Sequence, residues 1–534
     1  MKIAIAQLNC TVGDIFGNAH KIREAALQAK REGAGILLTP ELSLAGYPPE
    51  DLLLRDEFYR ACEAGLAELF DVSTDIALVV GLPRLVDGRR FNAAAVLHQK
   101  KIIGWYHKLS LPNYDVFDEE RYFESGSEPC VFAFDGVRFG VNICEDVWLE
   151  AAPTLASRAG AQVLLVLNAS PYHLGKQAER YDVVRAQVRE TGLPTVFANL
   201  VGGQDELVFD GASFVMNRDC EVVCQLQAFE ESIAYVEFNG DEFSPGIMVE
   251  SLSEEASVYK ALCLGVHDYV RKNNFPGVLL GLSGGIDSAL TLAVAVDCLG
   301  AEQVHAVMMP SPYTAQMSID DSRQMVNTLG VRYSEIAIGP VFDAFKGALA
   351  AQFMGRAEDT TEENLQARIR GTMLMALSNK FGSIVLTTGN KSEMAVGYST
   401  LYGDMAGGFN VLKDIFKTLV YRLAHYRNNI SAVIPERIIT RPPSAELRPN
   451  QTDQDSLPDY AVLDGIAEAF MERNCSPREI VAMGYRLDDV HRVTRLIKLN
   501  EYKRRQAPVG VRITERGFGK DWRYPITSKF QSEF

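Results

Sequence analysis

The segment between Pro276 and Gly300 constrains the fold of this chain more than any other. Pro276–Gly281 is short and apolar, which is typical of a buried strand. Ser288–Leu299 is rich in alanine, leucine and valine and stops before Gly300, so it predicts a helix. The sequence Leu282-Ser-Gly-Gly-Ile-Asp-Ser288 joins the two. The order strand, glycine turn, helix indicates an α/β fold.

The residues of this turn suit a phosphate group. Gly284 and Gly285 carry no Cβ, so a phosphate can approach their backbone N–H groups closely. The start of the helix adds unpaired N–H donors and a positive dipole end. Ser283 and Ser288 supply hydroxyl donors, and the Asp287 carboxylate could hold a magnesium ion. An ordinary strand-to-helix turn explains a bare Ser-Gly-Gly, but the full Ser-Gly-Gly-x-Asp-Ser favours phosphate binding.

The turn lacks the Gly-Lys-Ser/Thr of a Walker loop. It resembles instead the pyrophosphate loop of the ATP pyrophosphatases, which adenylate a carbonyl oxygen and release pyrophosphate. That family includes GMP, asparagine and NAD synthetases, and the loop alone does not choose among them. The resemblance implies ATP contacts at Gly281, Leu282, Ser283, Gly284, Gly285, Ile286, Asp287 and Ser288.

Length and composition exclude several classes of protein. The 534 residues are enough for at least two domains with substantial cores. A net charge of −16 disfavours nonspecific nucleic-acid binding. The nine cysteines include no Cys-x-x-Cys pair, so we expect reduced thiols in a cytoplasmic protein. No apolar run reaches membrane-spanning length, and an alternating strand at the N-terminus argues against a signal peptide.

The first half of the chain alternates short apolar strands with helices and hairpins, which favours a layered α/β domain over a doubly wound one. Strands are predicted at Ile3–Leu8, Gly35–Thr39, Ile76–Gly81, Ala93–Leu97, Arg138–Ile143, Val163–Leu167 and Thr195–Ala198. Helices are predicted at Asn18–Glu32 and Gln177–Thr191. Ala93–Leu97 and Lys101–Tyr106 are expected to pair as a hairpin.

Three polar residues of this half, Glu41, Lys108 and Cys144, each lie just beyond a predicted strand. A thiolate attacks an amide or nitrile carbon well, but a free thiol is mostly protonated at neutral pH. A nearby lysine favours the thiolate, and a carboxylate can accept the thiol proton. Taken singly, such a cysteine is most often a small core residue, and a lone glutamate or lysine is usually solvated.

The local sequences around these residues resemble the three catalytic segments of the nitrilase superfamily, in that family's order. They are Pro40-Glu-Leu-Ser-Leu-Ala-Gly-Tyr-Pro48, His107-Lys-Leu-Ser-Leu-Pro112 and Asn142-Ile-Cys-Glu-Asp146. The resemblance covers the first half and implies an αββα sandwich. It implies that Cys144 is the nucleophile, Glu41 the general base and Lys108 the stabiliser of the oxyanion.

The same resemblance suggests a binding site for glutamine. Glu119, chosen over Glu120, lies where many members carry a second, supporting glutamate. Three more residues match glutamine-binding positions of the glutaminase branch: Tyr114, Ser170 and Lys176. Without the family, Ser170 would be an ordinary loop serine and Lys176 an exposed lysine.

Turn residues at 239–246 mark a domain boundary near residue 245, which predicts domains at 1–245 and 246–534. Acidic, helical sequence follows from Glu250 to Lys272. The rest alternates strands and helices and predicts a doubly wound parallel sheet with helices on both faces. Beyond the turn at 281–288, the predicted elements are Val304–Met309, Ile319–Leu329 and Ile384–Thr388.

Later stretches distinguish among the possible substrates. Together they resemble the NAD synthetase domain from about residue 260 onwards. Asn364 and Arg368 lie one turn apart on a predicted helix, and Tyr398–Asn410 is glycine-rich, typical of a mobile loop. The resemblance implies further ATP contacts at Thr388, Lys417 and Ser444, deamido-NAD contacts at Asn364, Arg368, Glu393 and Lys503, and Mg²⁺ ligands at Asp287 and Glu393. Ammonia-dependent members often have a lysine where this chain has Leu401, so no phosphate contact is transferred to that loop.

The two resemblances together imply an enzyme that amidates deamido-NAD to NAD with glutamine as nitrogen donor. They imply a Cys144 thioester, ammonia transfer through an enclosed passage, and an adenylate of deamido-NAD. The expected small-molecule partners are glutamine, ATP and deamido-NAD, and the chain is expected to form a homo-oligomer. Two alternatives stay open at this point. One is another glutamine-dependent amidating ligase, and the other is an amidase whose second domain only senses nucleotide.

Overall fold

The computed structural model describes residues 1–449, 451–455, 457–528 and 530. Contacts within the chain divide it into two compact units, Met1–Leu252 and Ser253–Phe534. Among the residues described, no helix is both long and apolar enough to cross a membrane. The domain boundary near residue 245 stays a prediction.

The first unit is built mainly from strands, and each strand and helix predicted in it has a counterpart. The strands are β1 (Lys2–Gln7), β2 (Ile36–Leu38), β3 (Ala77–Val86), β4 (Arg89–His98), β5 (Lys101–His107), β6 (Cys130–Phe134), β7 (Val137–Ile143), β8 (Val163–Asn168), β9 (Thr195–Asn199), β10 (Val201–Gln204), β11 (Leu207–Asp210), β12 (Phe214–Met216), β13 (Val222–Gln225) and β14 (Ser232–Glu237). The helices are α1 (Ile15–Arg31), α2 (Asp56–Ala67), α3 (Ala151–Arg158) and α4 (Lys176–Thr191).

Short turns explain why neighbouring strands pair. Asp87 and Gly88 have φ angles of 50° and 79°, which suit the two-residue turn that joins β3 to β4. The predicted hairpin of β4 with β5 is confirmed, with Ala94 opposite Tyr106.

Two six-stranded sheets form the layers, in the orders β14-β1-β2-β3-β4-β5 and β13-β12-β9-β8-β7-β6. Because side chains alternate along a strand, each sheet has an inner and an outer apolar face. Inner residues such as Ile5, Leu38, Val96, Val141 and Leu165 form one core between the sheets. The outer faces are covered by α1 and α2 on one side and by α3 and α4 on the other, so the predicted αββα sandwich is confirmed.

The second unit contains a parallel sheet surrounded by helices. Its strands are β15 (Val278–Gly281), β16 (Val304–Met308), β17 (Arg332–Glu335), β18 (Ile384–Thr387) and β19 (Phe409–Asn410). Its helices are α5 (Glu254–Lys272), α6 (Ile286–Leu299), α7 (Gln316–Leu329), α8 (Gly339–Leu349), α9 (Thr360–Phe381), α10 (Lys391–Val396), α11 (Lys417–Ile430), α12 (Glu436–Thr440), α13 (Tyr460–Met471), α14 (Pro477–Ala482), α15 (Leu487–Leu499) and α16 (Glu501–Arg504).

The order of the strands explains where a ligand site is expected. All neighbours in β17-β16-β15-β18-β19 are parallel. Leu279, Val307 and Val385 pack under α8 and α9 on one face, whereas α6 contacts α5 and α11. After β15 the chain adds β16 and β17 on one side of it, and then returns to add β18 and β19 on the other side. The prediction of a doubly wound sheet is therefore confirmed. Ligands of such sheets bind at this switch point, at the carboxyl ends of the strands.

Candidate active sites

A buried cluster of one lysine and two glutamates lies at the carboxyl ends of strands in the first unit. Lys108, which follows β5, donates from Nζ to Glu41 Oε1 at 2.7 Å and to Glu119 Oε1 at 2.9 Å. The Asn92 amide on β4 donates to the same Glu41 oxygen at 2.7 Å, and the backbone N–H of Ala169 donates to its other oxygen at 2.9 Å. The structure thus joins Glu41 to Lys108 and Glu119, which lie more than sixty residues later in the sequence, and one lysine charge only partly neutralises two carboxylates.

Cys144 lies directly after β7, at the first residue of a short 3₁₀ helix, and is buried. Its φ is +43°, a left-handed conformation that few non-glycine residues adopt. Asp146 fixes this turn, because its carboxylate accepts from the backbone N–H groups of Ile143 at 2.9 Å and Leu109 at 3.0 Å. The same carboxylate therefore ties the segment after Lys108 to the segment of Cys144.

Burial and charge set the ionisation of this cluster. Burial raises the pKa of the Cys144 thiol well above its usual range, and the Glu41 carboxylate raises it further, whereas Lys108 opposes them. Burial disfavours the Lys108 cation, but the attractions of Glu119 and Glu41 exceed that effect and hold its pKa well above the usual range. The site therefore pairs a neutral thiol with a carboxylate able to take its proton and a fixed cation able to stabilise an oxyanion.

Tyr114 and Lys176 lie near Glu145, the residue after the thiol. The Tyr114 hydroxyl donates to Glu145 Oε2 at 2.9 Å, and burial raises the pKa of that carboxyl. Lys176 begins α4 and donates to Glu179 at 2.9 Å while its Nζ lies 4.1 Å from the centre of the Trp148 ring. The Glu145 carboxylate and the Lys176 cation are the chemical complements of an α-amino and an α-carboxyl group.

Ser170 is held by a residue that the sequence did not indicate. Arg180 is fully buried, donates from Nε to Ser170 Oγ at 3.1 Å, and forms a two-point ion pair with Asp210 at 2.8 and 2.9 Å. Its helix position alone predicts an exposed arginine, and only the tertiary fold places it behind the serine.

In the second unit the glycine turn follows β15 as predicted. Helix α6 begins at Ile286, two residues earlier than predicted, because Gly285 is extended at φ −87° and caps it. Gly284 has φ +81°, and a Cβ there would meet the Ser318 carbonyl oxygen at 2.5 Å. Ser288 Oγ accepts from the Ser283 N–H at 3.2 Å and donates to Gly285 O at 3.0 Å. These contacts fix the backbone amides of the turn in one conformation.

Asp287 and Glu393 converge at the switch point of the sheet. Asp287 Oδ1 accepts from the Asn390 amide at 2.9 Å, and Oδ2 accepts from Lys417 Nζ. Glu393 Oε1 lies 3.8 Å from the same Lys417 Nζ, so one buried cation bridges both carboxylates. Burial raises the pKa of Glu393 to about 8, and the Asp287 charge adds to this shift while Lys417 opposes it. Carboxylate oxygens of this kind are the donors that Mg²⁺ prefers, so the pair fits that ion.

Thr388 and Ser444, two other predicted ATP contacts, differ in how they relate to the glycine turn. Thr388 directly follows β18, the strand next to β15. The Ser444 hydroxyl instead donates to the Gln451 carbonyl at 2.6 Å, within its own segment. The neighbouring Arg441 makes the contact with the turn, donating to the Gly284 carbonyl, and the sequence did not indicate it.

The remaining predicted substrate residues all contact the segment 397–404. Arg368 Nε donates to the Leu401 carbonyl at 3.2 Å, and Asn364 Oδ1 accepts from the Thr400 hydroxyl at 2.8 Å. Lys503 Nζ donates to the carbonyls of Gly397 at 2.7 Å and Ser399 at 2.8 Å. The predicted deamido-NAD residues therefore meet at one loop, which begins one helical turn after Glu393.

Known proteins resemble the two halves of the chain separately and also its full length. Residues 2–243 match the family model described as carbon-nitrogen hydrolase, and residues 258–507 match the model described as NAD synthase. The glutamine-dependent NAD(+) synthetase of Acinetobacter baylyi is 47% identical over 540 residues, which cover 100% of this chain and 99% of that protein. The protein of the same name from Thermotoga maritima is 44% identical, with 99% of each chain covered.

Solved structures are similar over the full length as well. The glutamine-dependent NAD+ synthetase of Acinetobacter baumannii, solved in complex with ADP, is 45% identical, with a TM-score of 0.81 over 100% of this chain and 99% of that one. The Cytophaga hutchinsonii glutamine-dependent NAD(+) synthetase, at 22% identity and a TM-score of 0.85 over 99% and 98%, shows the shared fold alone. Because relatives of such identity match it from end to end, the chain belongs to the glutamine-dependent NAD(+) synthetase family.

Proposed function

We propose that this enzyme amidates deamido-NAD to NAD, with glutamine as nitrogen donor and cleavage of ATP to AMP and pyrophosphate. The observation that carries the proposal is the presence of two complete sites in one chain. One is the Cys144–Glu41–Lys108 cluster, and the other is the glycine turn with Asp287 and Glu393. The proposed domains are a glutaminase at 1–245 and a synthetase at 246–534.

In the proposed glutaminase reaction, Glu41 takes the proton of the Cys144 thiol as its sulfur attacks the amide carbon of glutamine. Lys108, held between the two glutamates, stabilises the oxyanion, and the amide nitrogen leaves as ammonia after Glu41 returns the proton. Water then hydrolyses the thioester to glutamate. Tyr114, Glu119, Ser170 and Lys176 are the proposed glutamine-binding residues. The buried position of Glu119 against Lys108 supports a role in placing that cation.

In the proposed synthetase reaction, residues 281–288 with Thr388, Lys417 and Ser444 bind ATP. Asn364, Arg368, Glu393 and Lys503 bind deamido-NAD, whose nicotinate carboxylate attacks the α-phosphorus of ATP to give an adenylate. Ammonia displaces AMP from that adenylate. Asp287 and Glu393 would hold Mg²⁺, which supplies charge neutralisation for the departing pyrophosphate. Lys417, whose Nζ lies beside both carboxylates, is the cation that we propose for the triphosphate.

The fate of the nucleotide tests this proposal directly. We expect AMP and pyrophosphate to form in equal amounts with NAD, because the turn lacks the lysine of a Walker loop and contains Asp287. Liquid chromatography of the nucleotides, together with a pyrophosphate assay, measures both products. ADP and orthophosphate as the primary products would contradict the proposal.

We also propose that the enzyme works in the cytoplasm as a homo-oligomer. All nine cysteines are free thiols in the structure, which supports a reducing compartment. Sedimentation velocity of the purified chain measures its state of association.

A further inference from the structure

Asn390 lies between the two carboxylates proposed to hold Mg²⁺, and its side chain bonds to both of their segments. It is fully buried and is the N-cap of α10. Its Nδ2 donates to Asp287 Oδ1 at 2.9 Å, across 103 residues of sequence. Its Oδ1 accepts from the backbone N–H of Glu393 at 2.9 Å. One amide therefore joins the start of α6 to the start of α10.

The chemistry of these contacts fixes the amide in one orientation. The NH₂ group must face the Asp287 carboxylate and the carbonyl oxygen must face the Glu393 N–H, because a flipped amide would oppose oxygen to oxygen. The Asn390 backbone N–H also donates to Glu393 Oε2 at 3.3 Å. Asn390 thus restrains one oxygen of each carboxylate, while Lys417 contacts the other oxygens.

We propose that Asn390 is a positioning residue that sets the separation and orientation of Asp287 and Glu393 for the divalent cation bound with ATP. The inference rests on the proposed function, in which these carboxylates are the metal ligands. Groups that hydrogen-bond to metal ligands typically change metal affinity or activity by roughly 10–100-fold when they are replaced. Asn390 has no place in the glutaminase site, so its replacement should leave glutamine hydrolysis unchanged.

A serine variant separates the two roles of Asn390. Serine is a good N-cap, so Asn390→Ser keeps an acceptor for the Glu393 N–H, but its hydroxyl is too short to reach Asp287. Ser476→Ala is the matched control, because Ser476 caps α14, which like α10 has six residues and has the same type of capping box, formed by Ser476 with Glu479. If Asn390→Ser fails to fold, Asn390→Gly replaces it, since glycine is also accepted at an N-cap.

The readout is Mn²⁺ binding to the full chain in the presence of α,β-methylene ATP, followed by electron paramagnetic resonance. We expect the Mn²⁺ dissociation constant to rise by about tenfold in Asn390→Ser. We expect no change in Ser476→Ala and a thermal midpoint close to that of the wild type in both. The Mg²⁺ concentration for half-maximal NAD synthesis should rise in parallel, with glutaminase activity unchanged.

Asp287→Asn separates the failure of this inference from the failure of the proposed function. Normal Mn²⁺ binding in Asn390→Ser with weakened binding in Asp287→Asn would overturn the positioning role and leave the metal site in place. Normal binding in both would overturn the assignment of Asp287 as a metal ligand, and with it this part of the proposed function. Equal weakening in Asn390→Ser and Ser476→Ala would mean that the loss is not specific to the contact between Asn390 and Asp287, and would also overturn the inference.

Discussion

At the scale of single residues, a few residues combine an unusual backbone conformation with a shifted pKa. Cys144 combines a left-handed backbone with a thiol whose pKa is raised by burial and by Glu41. Such a residue persists only where its surroundings hold it, here through Asp146. A thiol held in its neutral form needs a base to release the sulfur nucleophile, and Glu41 is the base that we propose.

Replacing Cys144 with alanine should separate the two activities. Glutamine-dependent NAD synthesis should fall by about three orders of magnitude or more, because no sulfur is left to form the thioester. Synthesis from concentrated ammonium salt should persist and should rise with pH as more free ammonia is present. Steady-state assays with each nitrogen source measure this. Retained glutamine activity would mean that the nucleophile lies elsewhere.

His107, next to Lys108, predicts a specific pH dependence of stability. Its ring stacks on Phe91 with 4.1 Å between the ring centres, and its Nε2 lies 3.0 Å from Arg84. Burial, with Arg84 and Arg89, lowers its pKa from 6.5 to about 4. Below pH 6.5 the unfolded chain therefore takes up a proton that the folded chain resists, so the stability due to the neutral ring is lost as pH falls from 6.5 to about 4.

We expect His107→Gln to reduce the fall in thermal midpoint between pH 6.5 and pH 4, measured by differential scanning calorimetry. His20→Gln is the control, since His20 is exposed on α1 and lacks these neighbours. An equal pH dependence in wild type and His107→Gln would show that the ring does not titrate in this way.

At the scale of secondary-structure elements, local sequence predicts most of what is observed. The strands, the β4–β5 hairpin and the glycine turn follow from apolar periodicity and turn residues, which act over a few positions. Asn92 and Asn390 were not predicted, because their partners lie 51 and 103 residues away in sequence. No local pattern distinguishes such an asparagine from one that faces solvent.

The two glycines of the turn should differ in their effect on stability. Gly284→Ala places a Cβ at φ +81° and within 2.5 Å of the Ser318 carbonyl oxygen. The left-handed conformation alone costs roughly 1–2 kcal/mol, and the clash adds to it. Gly285 has φ −87°, and its Cβ would meet only the movable Ser283 hydroxyl at 3.3 Å.

In the absence of ligand, we therefore expect a lower thermal midpoint for Gly284→Ala than for Gly285→Ala. Both substitutions should weaken ATP binding, because the added Cβ crowds the phosphates. Thermal unfolding and isothermal titration with α,β-methylene ATP measure the two effects. Equal midpoints would contradict the conformation assigned to Gly284.

At the scale of the whole molecule, the chain carries two chemistries in two compact units. The Cys144 cluster belongs to the first unit and the Asp287–Glu393 pair to the second. Sequence motifs were enough to indicate both, since each site lies at strand ends that the local pattern marks. The product of the first reaction, ammonia, is the nucleophile of the second, so glutamine-dependent synthesis requires both sites.

The most direct test is to follow the nitrogen atom. The enzyme is incubated with deamido-NAD, ATP, Mg²⁺ and glutamine labelled with ¹⁵N in its side-chain amide, and the NAD formed is examined by mass spectrometry. We expect the label to appear in the carboxamide of NAD, and we expect Cys144→Ala to form no labelled NAD. Unlabelled NAD as the product, or no NAD from a folded enzyme, would contradict this expectation.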